Sequence, residues 1–184
     1  MGEGSPISSR VSAGILLYRR SGRTKGGVSL EVLLGHPGGP YSASKDVGHW
    51  TIPKGEVEEG DDLLAVAYRE FEEETGHAAP AGTPLPLDTT RQKGGKLVHA
   101  WALEGDLDPS AAHSNSFAME WPPGSGTLRE FPEIDRVEWF AADEARRRIK
   151  EAQDVFIDRL EEALGRHSGP GLELGASSAG PQGG

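Results

Sequence analysis

Glu70, Glu73 and Glu74 fall three and four residues apart in a stretch that would be helical, so a helix stacks them on one face and turns Glu72 away. Like charges at that spacing repel and push one another's pKa upward, a cost that a cation removes. Hard divalent ions such as magnesium or manganese take oxygen ligands in octahedral geometry and are held by a few carboxylates together with substrate phosphates. Arg69 can orient one carboxylate through a bidentate pair without competing for the ion. Taken alone, an acidic run is also what a solvated helix face looks like. The flanks favour the metal. Pro53-Lys54-Gly55 precedes the run, Asp61 and Asp62 stand where N-caps belong, and Thr75-Gly76 ends the helix. Leu64, Ala67, Phe71 and Thr75 give it an apolar flank to pack on a sheet.

The elements that must hold this helix can be read from periodicity. Val11 to Tyr18 and Leu30 to Leu34 are β-rich runs, and the basic, glycine-rich Arg19 to Gly27 between them reads as a hairpin loop. His36 to His49 is a long glycine-rich loop without the Gly-Lys-Ser/Thr ending of a P-loop. Ala78 to Pro86 is a proline-rich crossover. Leu97 to Leu103 alternates as a strand after the tight Lys93-Gly-Gly-Lys96 turn, Ser116 to Trp121 is a short strand, and Val137 to Phe140 is a last one. Ala145, Ile149, Ala152, Phe156, Leu160 and Leu164 then recur at three and four, which predicts one amphipathic terminal helix. Strands mixed with two helices make an α/β sandwich. The small polar residues 1–9 and the Gly, Ser, Pro and Ala of 165–184 are expected to be mobile, leaving a domain over 10–164.

The segment from Gly55 to Gly76 resembles the Nudix box, G-x5-E-x7-R-E-U-x-E-E-x-G-U, where U is a bulky aliphatic. Gly55, Arg69, Glu70, Glu73, Glu74 and Gly76 match in register, while Asp61 replaces a Glu, Phe71 the first aliphatic and His77 the last. The resemblance implies the Nudix fold, an α/β/α sandwich with a mixed central sheet. It also implies that Glu70, Glu73 and Glu74 bind Mg2+ or Mn2+ with the Gly55 carbonyl, and that Arg69 orients them. The activity it implies is metal-dependent hydrolysis of a nucleoside diphosphate linked to another moiety. The Trp50-to-Gly55 lead-in and the Arg69-to-Gly76 block look like small hydrolases of diadenosine tetraphosphate, which is split to ATP and AMP. The alternatives are a nucleoside triphosphate or nucleotide-sugar pyrophosphohydrolase, and a nucleotide-sensing module without turnover.

Family members often take a further ligand or base from outside the box. Glu120, a carboxylate in the apolar Phe117 to Trp121 segment, is the expected residue, with Glu73 the other candidate base and a solvent-facing edge position the plain alternative. Lys54 adjoins the box, and Arg91, Lys93 and Lys96 form a basic patch; Lys54, Arg91 and Lys96 are the expected phosphate contacts, with exposed lysines on a solvated hairpin the alternative. Among Tyr41, Trp50, Trp101, Phe117 and Trp121, one or two would stack on a base and the rest would fill the core. His36, His49, His99 and His113 lack a metal-ligand spacing and are assigned no chemistry.

With 29 acidic against 19 basic residues in 184, the formal charge of −10 argues against DNA binding, so a nucleotide must be met locally. The chain contains no cysteine, which leaves out disulfides and thiolate metal sites. No apolar run approaches the roughly 20 residues of a membrane span. The expectation is a cytoplasmic enzyme, monomeric or homodimeric, with a small nucleotide as its partner and no membrane association.

Overall fold

The computed structural model describes residues 10–24 and 27–167. Its axis is β1 (Val11–Thr24), whose alternation sends Ala13, Ile15 and Leu17 to one face and Leu16 and Tyr18 to the other, all of them buried. A strand apolar on both faces belongs inside a sheet covered on both sides. β1 runs parallel to β5 (Leu97–Glu104) and antiparallel to β2 (Gly27–Pro37), while β3 (Lys54–Glu56) pairs antiparallel with its first residues. With β4 (Leu85–Arg91) and β8 (Ile134–Ala141) the order is β4-β5-β1-β2-β8, a mixed sheet.

One face is covered by α1 (Leu63–Thr75), where Val66, Ala67 and Phe71 meet Ala13, Ile15, Leu17 and Leu33. The other is covered by α2 (Ala142–Arg148) and α3 (Val155–His167), where Ala145, Phe156, Ile157 and Leu160 meet Leu16, Val32, Leu34, Trp50 and Val98. This is the α/β/α sandwich with a mixed sheet that the sequence led us to expect. β6 (Ser116–Glu120) and β7 (Leu128–Pro132) form a separate antiparallel hairpin. Among the described residues no helix is long and apolar enough to cross a membrane.

Three local expectations need correction. Arg19 to Gly27 is mostly strand: the β1–β2 pairing continues to Thr24 opposite Gly27, with a bulge between Ser21 and Arg23. β4 begins inside the expected Ala78-to-Pro86 crossover, and neither β4 nor β7 is among the expected strands. Pro86 and a positive φ at Asp88 interrupt the alternation of β4, which shifts register between Pro86 and Thr89. The single terminal helix is two. Ile149 turns extended (φ −70°, ψ 152°), because the chain there exchanges backbone bonds with Trp50: Trp50 N–H donates to Arg148 O (3.0 Å) and Lys150 N–H to Trp50 O (2.8 Å). The apolar spacing survives the break because Ile149 and Phe156 still enter one core. α3 continues to His167, so the expected boundary at Leu164 falls inside it; residues 1–9 and 168–184 lie outside those described.

Gln153, in the 3-10 turn Glu151–Gln153 between α2 and α3, ties this break to the approach of the box. Fully buried, it accepts from Ile52 N–H (3.0 Å) and donates to Thr51 Oγ1 (3.0 Å). Gln153→Ala would leave both partners unsatisfied beside a cavity, a loss of about 3 kcal/mol. Thermal unfolding should show this as a fall in Tm of roughly 6 to 12 °C, whereas an unchanged Tm would mean that the segment is held by other bonds.

Candidate active site

The box helix is set by its ends and its apolar flank. Asp62 caps it, its Oδ1 accepting from Ala65 N–H (2.8 Å), and Asp61 Oδ2 accepts from Glu58 N–H (3.1 Å) to fold the preceding loop. Gly76 closes it in the left-handed conformation (φ 72°), its N–H on Glu72 O (2.8 Å). Ala67, Phe71 and Thr75 are wholly buried and Leu64 is partly so, which fixes the rotation of the helix. His77, the other departure from the box pattern, has its N–H on Thr75 Oγ1 (3.2 Å), so the helix exit is held by a hydroxyl.

That rotation buries Glu70 and Glu74 to 9% exposure each, half-buries Glu73 and leaves Glu72 in solvent, so the run is not merely a solvated face. Arg69 Nη2 donates to Glu70 Oε1 (3.0 Å) and its Nε lies 3.9 Å from Glu73 Oε1. Gly55 lies so close that a Cβ there would overlap the Glu70 carboxylate. Gly14 on β1 has likewise no room for a side chain, since Pro53 O and Lys54 Cβ fill it. Lys54 N–H donates to Glu74 Oε2 (3.0 Å). Burial pushes the Glu74 carboxyl up to about 8, against the pull of Lys54, with Glu133 and Glu70 adding to the rise. Burial likewise pulls the Lys54 ammonium down to about 8, with Glu74 opposing.

Glu133 is the carboxylate that sequence reasoning missed. The residue as a whole is exposed, but partial burial of its carboxylate raises its pKa, and the charges of Glu70 and Glu73 raise it further, which brings it within electrostatic reach of the box cluster. Its position derives from the end of α1, where the last carbonyls need outside donors. Asn115 N–H donates to Glu73 O (2.9 Å) and His113 N–H to Thr75 O (3.1 Å). Asn115 O then accepts from Glu133 N–H (2.8 Å), and Glu133 O accepts from Gly38 N–H (2.9 Å), clamping this residue from both sides. Glu120 is not brought to the cluster. It ends β6, exposed, at the opposite end of the hairpin from Pro132, and its Oε1 accepts from Gly126 N–H (2.9 Å). Alternation allowed either fate for a carboxylate there, and the solvent-facing one holds.

The basic residues lie on the other flank. Lys96 Nζ donates to Glu56 Oε1 (3.1 Å), which helps hold the Glu56 carboxyl below its usual range, and Arg91 Nη1 donates to Gly95 O (3.2 Å) across the β4–β5 turn. Lys150, also missed, has its pKa lowered by burial and by Lys96 while Glu74 opposes, so it lies within electrostatic reach of both the hairpin lysine and the box. Trp50 is a core residue, buried and donating to Asp46 Oδ1 (2.7 Å), and Phe117 packs on Phe131. Tyr41 is 57% exposed and meets Trp121 edge-on at 5.4 Å. His36 is structural: buried, it bonds Asp135 Oδ1 (2.8 Å) and Lys45 O (2.7 Å), pinning the long loop to β8.

Among the described residues no three acidic or histidine side chains close into a finished ligand cage, since Glu70 turns to Arg69 and Glu74 to the Lys54 amide. The donors nevertheless suit a hard divalent ion. All are carboxylate oxygens, and the burial and mutual repulsion that raise Glu74 and Glu133 are costs that such an ion offsets.

A loop, helix and loop that present Glu70, Glu73 and Glu74 from a mixed sheet agree with the family model for the NUDIX domain, which matches residues 8–160. The chain belongs to the NUDIX family. It is 33% identical over 99 residues to the asymmetrical bis(5'-nucleosyl)-tetraphosphatase of Rattus norvegicus, covering 50% of this chain and 63% of the relative. It is 28% identical over 114 residues to the 8-oxo-(d)GTP phosphatase of Mycolicibacterium smegmatis (strain ATCC 700084 / mc(2)155), covering 60% of this chain and 29% of that protein. The chain thus matches less than two thirds of the length of either curated relative. The crystal structure of a C. elegans Ap4A hydrolase binary complex has the same NUDIX fold, with a TM-score of 0.56 and 22% identity, covering 85% of this chain and 98% of the other.

Proposed function

We propose that this NUDIX chain is a metal-dependent pyrophosphohydrolase that splits a nucleoside diphosphate linked to another moiety, most specifically a dinucleoside polyphosphate such as diadenosine tetraphosphate. The observation that carries this reading is the burial of Glu70 and Glu74 beside Glu73 and Glu133, with lysines on the adjoining flank. Similarity to the rat tetraphosphatase supports the substrate. Similarity to the 8-oxo-(d)GTP phosphatase favours a second reading, a nucleoside triphosphate.

In this mechanism Glu70, Glu73 and Glu74, with the Gly55 carbonyl, hold magnesium or manganese. When bound, the ion supplies charge neutralisation on the phosphate oxygens and lowers the pKa of water. The chain's own residues do the rest. Arg69 fixes the Glu70 carboxylate, so the ligand set is oriented before substrate arrives. Glu133 or Glu73 takes the proton of the attacking water; Glu133 suits the task because its raised pKa moves it toward neutrality. Lys54, Lys96 and Arg91 meet the phosphates. The water oxygen bonds to phosphorus as a bridging P–O bond breaks, so diadenosine tetraphosphate plus water gives ATP plus AMP. Product release from diadenosine polyphosphates, nucleoside triphosphates and nucleotide sugars tests the reading. Turnover of the first and its abolition by chelator are expected, whereas tight binding without turnover would make the chain a sensor.

A further inference from the structure

Beside the box lies a cavity of about 660 Å³ lined by Gly48, Arg91, Gln92, Lys93, Lys150, Glu151 and Ala152. Its walls are the β4–β5 turn and the break between α2 and α3, and the chain passes from its rim at Gly48 into the lead-in of the box, while the charges of Lys150 on its wall and Glu74 in the box act on one another. Gly48 N–H donates to Arg147 O (3.1 Å), and Trp50 exchanges backbone bonds with Arg148 and Lys150. Its lining has three cationic side chains against one carboxylate, Glu151, which is paired at 3.8 Å with the exposed Lys93. Gln92 lines the cavity as well, although its Nε2 is buried away from solvent without a hydrogen-bond partner. No aromatic side chain lines the cavity, so it offers no face on which a base would stack.

We propose that this cavity receives phosphate groups of the substrate other than those of the anhydride being split, so that the chain selects substrates with at least one phosphate beyond the cleaved linkage. This rests on the pyrophosphohydrolase reading above and narrows it: dinucleoside polyphosphates and nucleoside triphosphates satisfy the cavity, and nucleotide sugars, whose two phosphates are both used at the box, do not. Lys150 is the central cation, since it feels both Lys96 on the hairpin and Glu74 in the box. Lys93 and Arg91 add positive charge from the β4–β5 turn.

Binding of tripolyphosphate to the full chain in excess chelator, measured by calorimetry, removes the metal-held phosphate site, and variants of the cavity residues then tell the cavity from Lys54 and Lys96. The wild-type protein should bind one tripolyphosphate, and Lys150→Gln should weaken binding at least 10-fold. Lys93→Glu, at an exposed position that the fold does not need, should weaken it as well. With magnesium, Lys150→Gln should raise KM for diadenosine tetraphosphate more than it lowers kcat. No binding to the wild-type protein, equal binding by Lys150→Gln and Lys93→Glu, or a kcat/KM for ADP-ribose equal to that for diadenosine tetraphosphate would overturn the proposal. Tripolyphosphate binding in a protein that hydrolyses none of the panel would leave the cavity assigned and remove the pyrophosphohydrolase reading.

Discussion

Glu74→Gln should lower the rate of diadenosine tetraphosphate hydrolysis at saturating magnesium by at least about 100-fold, a loss of roughly 2.7 kcal/mol of transition-state stabilisation. Glutamine keeps the shape of the side chain and an oxygen to accept from Lys54 N–H, which Glu74 does at 3.0 Å, so the helix and the loop stay in place. What it removes is the charge. Glu74 is held in a buried, crowded site where its carboxyl rises to about 8, and a residue kept there against that cost is best explained by a cation that binds it ionised. Initial rates of AMP release from folded protein, verified by circular dichroism, measure the effect. Full activity would remove Glu74 from the metal set.

Glu133→Gln should have the second largest effect, a fall in kcat of about 100-fold, the usual contribution of a positioned general base. The backbone of Glu133 is fixed by Asn115 O and Gly38 N–H, so the substitution leaves its anchorage intact. Glu120→Gln should change kcat by less than about two-fold, since an exposed side chain at a hairpin end behaves as ordinary surface. Steady-state rates of the two variants side by side decide between them. A large loss in Glu120→Gln with none in Glu133→Gln would reverse the assignment.

The box was legible because its determinants are local. The three- and four-residue spacing, the Asp62 cap and the Gly76 stop all act within one helix, and the structure keeps each of them. The faces of β1 could also be read, since alternating apolar residues leave few ways to pack. Glu133 could not be read, because its place depends on the backbone of Asn115 and His113 reaching the end of α1 from far along the chain. Its sequence shows only an acid directly before the apolar alternation of β8. Lys150 was hidden for a related reason: helical periodicity runs through it unbroken, and only the backbone exchange with Trp50 turns the chain and leaves Lys150 beside the cavity. β4 and β7 escaped because Pro86, Asp88 and Pro132 are loop signals that tertiary pairing overrode.

The central claim is that the box cluster directs water to one phosphorus of a nucleotide polyphosphate. Hydrolysis of diadenosine tetraphosphate in oxygen-18 water with magnesium, read by mass spectrometry, tests it most directly. ATP and AMP in equal amounts, with one labelled oxygen in only one of them and no reaction in chelator, is the predicted result. Two molecules of ADP, or undiminished hydrolysis in chelator, would contradict it.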